Sequence, residues 1–231
     1  MTNVTKVEDN KAYNGETVVA NIQTERIKDG SSMFYSSNLS EFSSDLSSLT
    51  NGDSMFYGAQ LTSFNSDLSS LVDGSSMFEN AQLTSFNSDL SSLVYGYSML
   101  KATQLTSFNS DLSSLVYGSS MFYNAQLTSF NGDLSSLVDG SYMFNDTQLT
   151  SFNGDLSSLV DGSFMFYNTN LDMESLETIC DTLTKKSDLK TWNNTTKTYE
   201  EWDGNSNFVY PITVLDDNYK KVQTTASYAK D

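Results

Sequence analysis

Leu61 to Gln82 reads LTSFNSDLSSLVDGSSMFENAQ, and with small edits the same 22 residues begin at Leu39, Leu83, Leu105, Leu127 and Leu149. A half-copy, GSSMFYSSN, leads in at Gly30, and another ends at Asn170. Gly30, Gly52, Gly74, Gly96, Gly118, Gly140 and Gly162 keep the 22-residue spacing without a slip. A fixed period of this length marks a solenoid of like units, each covering the apolar face of the next.

Leu61, Phe64, Leu68, Leu71, Met77 and Phe78 are the large apolar residues of the unit. Their spacing fits no long helix, and the glycines would interrupt one. The unit therefore predicts a coil that folds back on itself. A short strand is expected over Thr62 to Ser66, with Phe64 inward and Ser63 and Asn65 outward on the two-residue period. Asp67 opens a DLSSL segment that reads as one 3₁₀ or α turn, with the carboxylate as its N-cap. Gly74 is expected to supply a backbone with φ > 0. The small residue at Ala81, matched by Ala59, Thr103, Ala125 and Thr147, lets the next coil pack close. At about 4.8 Å per strand step, six coils make a rod on the order of 30 Å long.

The words LTSFNSDLSSL and SSMFYNA resemble the leucine-rich repeats of the BspA-like class, found in bacterial and bacteriophage surface proteins. The resemblance spans about Gly30 to Leu171. Where many members of the class carry Cys after the MF word, this chain has Ser, Ala or Thr. The implied fold is a repeat solenoid, leucine-rich-repeat-like, of about six 22-residue coils, each a short parallel strand plus a helical turn.

Outside the repeats the signals change. Residues 1–15 have no period and read as an arm, and Glu16 to Asp29 as a degenerate capping coil in which Ile27 takes the place of Leu71. Residues 30–170 are the solenoid proper. Residues 171–186, LDMESLETICDTLTKK, carry the spacing of an amphipathic helix, expected to cap the last coil. Asp172 suits its N-cap, and Lys185 and Lys186 the C-terminal end of its dipole. Cys180 reads as a packed thiol on its apolar face, and as the single cysteine it excludes an internal disulfide framework. Residues 187–231 hold both tryptophans and the one proline. Phe208 to Leu215 reads as a strand that Pro211 would confine to an edge. The aromatics Trp192, Trp202, Phe208 and Tyr210 predict a tail that docks on a protein partner or on a second copy of the chain.

The chain has 12 basic and 29 acidic residues and no histidine. From Gly30 to Leu171 a single base, Lys101, stands against thirteen acids, a net charge of −12. Such a surface repels nucleic-acid phosphates and anionic membranes. No apolar run approaches the roughly 20 residues of a membrane span, and the N-terminus lacks the apolar core of a secretory signal. Without histidine there is no Ser–His or Cys–His pair. Neither a metal-ligand cluster nor a phosphate-cradling loop is visible. The expectation is a non-enzyme without cofactor.

Asp45, Asp67, Asp89, Asp111, Asp133 and Asp155 hold one place in six successive coils. They read as structural caps. A row of calcium ions is the alternative, but calcium wants six to eight oxygens and the motif offers one carboxylate per coil. Asn65, Asn87, Asn109, Asn131 and Asn153 form a polar stripe, read as a ladder. Positions that vary within a fixed repeat are exposed, and there the chain places Tyr57, Tyr95, Tyr97, Tyr117, Tyr123, Tyr142 and Tyr167. Tyrosine among Ser, Asn and Gly is the composition of an adaptable recognition surface. These residues are the candidate binding set for a protein or glycan. The resemblance points to a bacteriophage virion surface or accessory protein. A bacterial cell-surface adhesin module that meets host protein or glycan is the alternative.

Overall fold

The computed structural model describes residues 3–172, 174–175, 178–179, 189–193, 198–201, 212–215 and 221–224. Its organising feature is the run from each glycine through the MF word. In one coil the amides of Gly74, Ser76, Phe78 and Asn80 donate to the carbonyls of Tyr95, Tyr97, Met99 and Lys101 in the next, at 2.7–2.9 Å. The alternate amides of Met77, Glu79 and Ala81 donate three residues back, to Gly74, Ser76 and Phe78, at 3.0–3.1 Å. Even positions join coils, and odd positions close turns. Ser76 and Asn80, the third residues of the first and last turns, have φ of 50° and 60°, as a type II turn requires. Just before the glycine, parallel bridges link Asp29, Asn51, Asp73, Tyr95, Tyr117, Asp139 and Asp161.

Two columns of phenylalanine fill the space inside. Phe34, Phe56 and Phe78 stack at 5.3–5.5 Å, as do Phe122, Phe144 and Phe166 at 5.5–5.6 Å. Phe42, Phe64, Phe86, Phe108, Phe130 and Phe152 form the second column at 5.7–6.3 Å. Rings of one column meet rings of the other edge to face, for example Phe64 on Phe78 at 4.7 Å. Such contacts contribute beyond area burial, about 0.5–1.5 kcal/mol each. Leu100 breaks the first column. Strand pairing on the LTSFN side breaks at the same level. Strands β5 (Ser63–Phe64) and β6 (Ser85–Phe86) pair in parallel, as do β7 (Ser129–Phe130) and β8 (Ser151–Phe152), while Ser107–Phe108 between them forms no strand.

The expected leucine-rich-repeat-like solenoid, with a helical turn per coil and a capping helix, is corrected by the observed backbone. The strands are two residues long rather than spanning Thr62 to Ser66, and small separate sheets replace one continuous sheet. The DLSSL segment forms a single β-turn, with the Leu71 amide donating to the Leu68 carbonyl at 2.8 Å and no helix following. One such bond cannot nucleate a helix against the cost of ordering its residues. Gly74 does not have positive φ, which falls at Ser76 instead. The glycine is needed for space: a Cβ there would lie 3.0 Å from Met99 Sδ and 3.2 Å from Leu71 Cδ2 and Leu93 Cδ1.

The ends also differ from expectation. Instead of an arm, residues near the N-terminus form an antiparallel meander of β1 (Lys6–Glu8), β2 (Lys11–Asn14) and β3 (Thr17–Asn21). Strand β1 continues in parallel onto β4 (Glu41–Ser43) of the first coil, with Val7 opposite Phe42. Val4, Val7, Ala12 and Ile22 are buried, so the meander closes this end of the core. The one helical element of this region is a 3₁₀ turn, Thr24–Arg26. In 171–186, only Glu174, Ser175, Thr178 and Ile179 are described beyond Asp172; their backbone is helical, but they do not amount to a capping helix. Asp172 Oδ1 accepts the Ser175 amide at 2.9 Å, and the Ser175 hydroxyl accepts the buried Phe152 amide at 2.7 Å. Cys180, Lys185 and Lys186 lie outside the described residues. Further on, β9 (Leu189–Asn193), β10 (Thr198–Glu201), β11 (Ile212–Leu215) and β12 (Lys221–Thr224) form a sheet in the order β10-β9-β11-β12. The strand expected at an edge is thus an inner one. It starts at Ile212, one position beyond Pro211, so its ladder needs no amide from the proline.

Gly74→Ala should destabilise the fold by about 1–3 kcal/mol, the usual effect of overpacking. Ser120→Gly, which replaces a left-handed residue with φ of 59°, should cost little or stabilise slightly. Urea unfolding of both variants checks this; the reverse order would return the φ > 0 requirement to the glycine.

Candidate recognition surface

Each of the six recurring aspartates accepts a backbone bond. The amides of Ser47, Ser69, Ser91, Ser113, Ser135 and Ser157 donate to Oδ1 of Asp45, Asp67, Asp89, Asp111, Asp133 and Asp155 at 2.7–2.8 Å. This is an Asx turn feeding a β-turn. Hydrogen bonds from the Ser69 and Ser135 side chains and then their amides hold Asp67 and Asp133 below the usual carboxylate range. Among the described residues, no group of three or more His, Cys, Asp or Glu could hold a metal ion. No helix among them is long and apolar enough to cross a membrane. In the asparagine stripe, Asn153 Nδ2 donates to Asn131 Oδ1 at 2.9 Å.

A second Asx column precedes the glycines. Asp29, Asp73, Asp139 and Asp161 accept the amides of Ser31, Ser75, Ser141 and Ser163 at 2.9–3.0 Å, and Asn51 accepts that of Asp53 at 3.0 Å. In the two middle coils this position holds Tyr95 and Tyr117, which have no oxygen in reach of that bond. Their rings stack at 5.3 Å and 3° instead. Tyr97, where most coils have Ser, adds a third ring 5.9 Å from Tyr117. Tyr95 and Tyr97 are 40% and 38% exposed. Burial first, then the charge of Asp139, the neighbouring tyrosines and Asp73, raise the Tyr97 phenol above its ordinary value.

The position after the MF word forms a third column. Tyr35 and Tyr57 stack at 4.7 Å, and Asn80 Nδ2 donates to the Tyr57 hydroxyl at 3.1 Å. Lys101 then pairs with Glu79 at 3.1 Å on one side and lies 5.7 Å over the Tyr123 ring on the other. Burial, then a hydrogen bond to Asp146, raises the Tyr123 phenol. Tyr142 stands at a left-handed position, φ 57°, where five preceding coils have Ser, and stacks on Phe164 at 5.1 Å. Phe164 in turn meets Tyr167 edge to face at 6.0 Å.

The seven candidate tyrosines therefore fall into separate groups: Tyr57 with Tyr35, the trio of Tyr95, Tyr97 and Tyr117, Tyr123 under Lys101, and Tyr142 with Tyr167 around Phe164. Phe164 and the Glu79–Lys101 pair escaped the sequence reading. Phe164 was visible as the one non-tyrosine aromatic in a serine column, but the pair shows only when successive copies are aligned one coil apart. In the tail, Trp192 lies on β9 opposite Tyr199 of β10, whereas Trp202, Phe208 and Tyr210 lie outside the described residues.

The family described as "Mycoplasma protein of unknown function, DUF285" matches residues 2–113 and again residues 47–159. These matches cover more than half of the chain, and the chain belongs to this family. No curated protein and no solved structure matches it.

Asp111→Ala should cost about 1 kcal/mol, the worth of one such bond, and Asp111→Asn much less because an acceptor oxygen remains. For Asp67 and Asp133 the folded-state pKa is depressed, so their contribution is present above the unfolded value of about 3.9 and is lost as pH falls through the folded value. Thermal melts between pH 7 and pH 2 should show the wild type losing stability below about pH 4 more steeply than the Asp67→Asn, Asp133→Asn variant. Parallel curves would remove these carboxylates from the acid sensitivity.

Proposed function

We propose that this member of the family is a non-enzymatic display and recognition module, whose coils present exposed tyrosines to a protein or glycan partner. The observation that carries the reading is the replacement of the turn-capping aspartate by Tyr95 and Tyr117. The two substitutions give up two bonds worth about 1 kcal/mol each, and with Tyr97 they gain two ring pairs worth about 0.5–1.5 kcal/mol each. Stability is thus roughly balanced and supplies no reason for the change. Tyr142 and Phe164 argue alike, since bulky side chains at φ of 57° are outliers that stability alone would disfavour. What the substitutions add is exposed, rigid, amphipathic ring surface, the currency of recognition sites.

A bacterial cell-surface module, of the adhesin kind, is the setting we favour. The family description names a bacterium, and the MF words resemble those of BspA-like surface proteins. A virion surface remains the setting to test against it, by locating the protein in fractionated cells and in purified particles.

Returning the trio to the repeat's own residues, Tyr95→Asp, Tyr97→Ser and Tyr117→Asp, tests the reading. Melting should stay within a few degrees of the wild type, because an Asx bond replaces each lost stack. Binding of the full chain to arrayed glycans and surface proteins should fall at least about tenfold. Unchanged binding with unchanged melting would reduce the tyrosines to surface decoration.

A further inference from the structure

Resting on that reading, we infer that the trio recognises an extended, basic segment of a protein partner, its cationic side chains seated between Asp73 and Asp139 across the Tyr95 and Tyr117 rings. The column order supports this. Asp73, Tyr95, Tyr117 and Asp139 are consecutive bridge partners, so at about 4.8 Å per step the two carboxylates stand about 14 Å apart with the two stacked rings between them. In each aspartate Oδ1 holds the backbone of its own turn, which leaves the other oxygen for a charge-assisted bond.

The chain already holds one cation by a carboxylate and a ring of a single column. In the column after the MF word, Lys101 sits between Glu79 one coil before and the Tyr123 ring one coil after. The column of Tyr95 and Tyr117 also sets carboxylates beside rings, here on adjacent coils rather than two coils apart, and has no base. Lys101 is the sole base from Gly30 to Leu171. The cation must come from outside these coils, and their net charge favours its approach. An arginine suits the seat best, because its planar guanidinium stacks on a ring while bonding a carboxylate.

Length selects an extended peptide. Residues i and i+4 of a strand lie on one face about 13 Å apart, which matches the separation of the two carboxylates. Arginines four apart would therefore reach both ends, whereas arginines three apart point to opposite faces.

The test titrates the full chain, followed by two-dimensional NMR, with a seven-residue glycine–serine peptide bearing arginines at its second and sixth positions. The comparison peptide carries them at its second and fifth. The first peptide should bind several-fold more tightly than the second. Tyr95→Asp with Tyr117→Asp should weaken it about tenfold, the loss expected for a ring contact, although the variant adds two negative charges. Asp73→Asn with Asp139→Asn, which keeps the turn-capping oxygen, should weaken it as much. Tighter binding in the Tyr→Asp variant would mean attraction by charge alone, and the inference would fall. Tyrosine-dependent binding of a neutral oligosaccharide in place of the peptide would overturn the basic partner and leave the recognition surface standing. If neither probe responds to the tyrosine variants, both readings fall.

Discussion

The structure depends on the division of amide donors along the run from glycine to the residue after the MF word. A coil whose amides all pointed inward could not join its neighbours, and one whose amides all pointed outward could not turn. Alternation satisfies both needs, and it requires left-handed backbone at Ser76 and Asn80 and at their counterparts. Small and polar residues tolerate that conformation best, which explains why the run is written Gly-Ser-Ser-Met-Phe. Met77 and Phe78 then fall on the inner side and are fully buried. The two phenylalanine columns follow from the same one-coil step, since identical rings are set above one another at stacking distance.

This frame also explains where the chain can vary. Buried positions face the same residue in the coils above and below, so a change must fit three layers at once. Thr103, Thr147 and Thr169 show what is allowed: each replaces a buried small residue and donates its hydroxyl to the carbonyl three residues back, at 2.7–2.8 Å. Outward positions have no such restriction. There the chain substitutes Tyr, Lys, Glu and Asn freely, and the exposed groups of neighbouring coils meet in pairs. A binding surface is assembled by choosing which residues sit one coil apart.

The period, the inward apolar set and the exposure of Tyr95, Tyr97, Tyr142 and Tyr167 were legible in the sequence because each rests on repetition or on departure from it. Tyr57, Tyr117 and Tyr123, expected to be exposed, are half-buried. Local geometry was less legible. An aspartate two residues before a serine amide serves equally as a helix cap or an Asx turn, and only the missing second bond after Leu71 separates them. The glycine's place in the sequence points to a conformational role, yet its role is set by Met99 from another coil, a contact no local pattern reveals. The strands of the N-terminal meander carry three to five residues each, too few for a period to register. They become strands because Val7 and Ala12 cover the first coil. Tyr95, Tyr97 and Tyr117 could be named singly, but their convergence follows only from the register of stacking.

Amide hydrogen exchange resolved by residue over Gly74 to Ala81 tests the central claim most directly. The account predicts that the Ser76, Phe78 and Asn80 amides, bonded to the next coil, exchange slowly and together, because they open only when coils part. The half-buried Glu79 amide, closing a turn within its own coil, should exchange faster by local opening. Uniform protection across the run, or loss of protection at Ser76 and Phe78 alone, would contradict the alternation on which the fold is built.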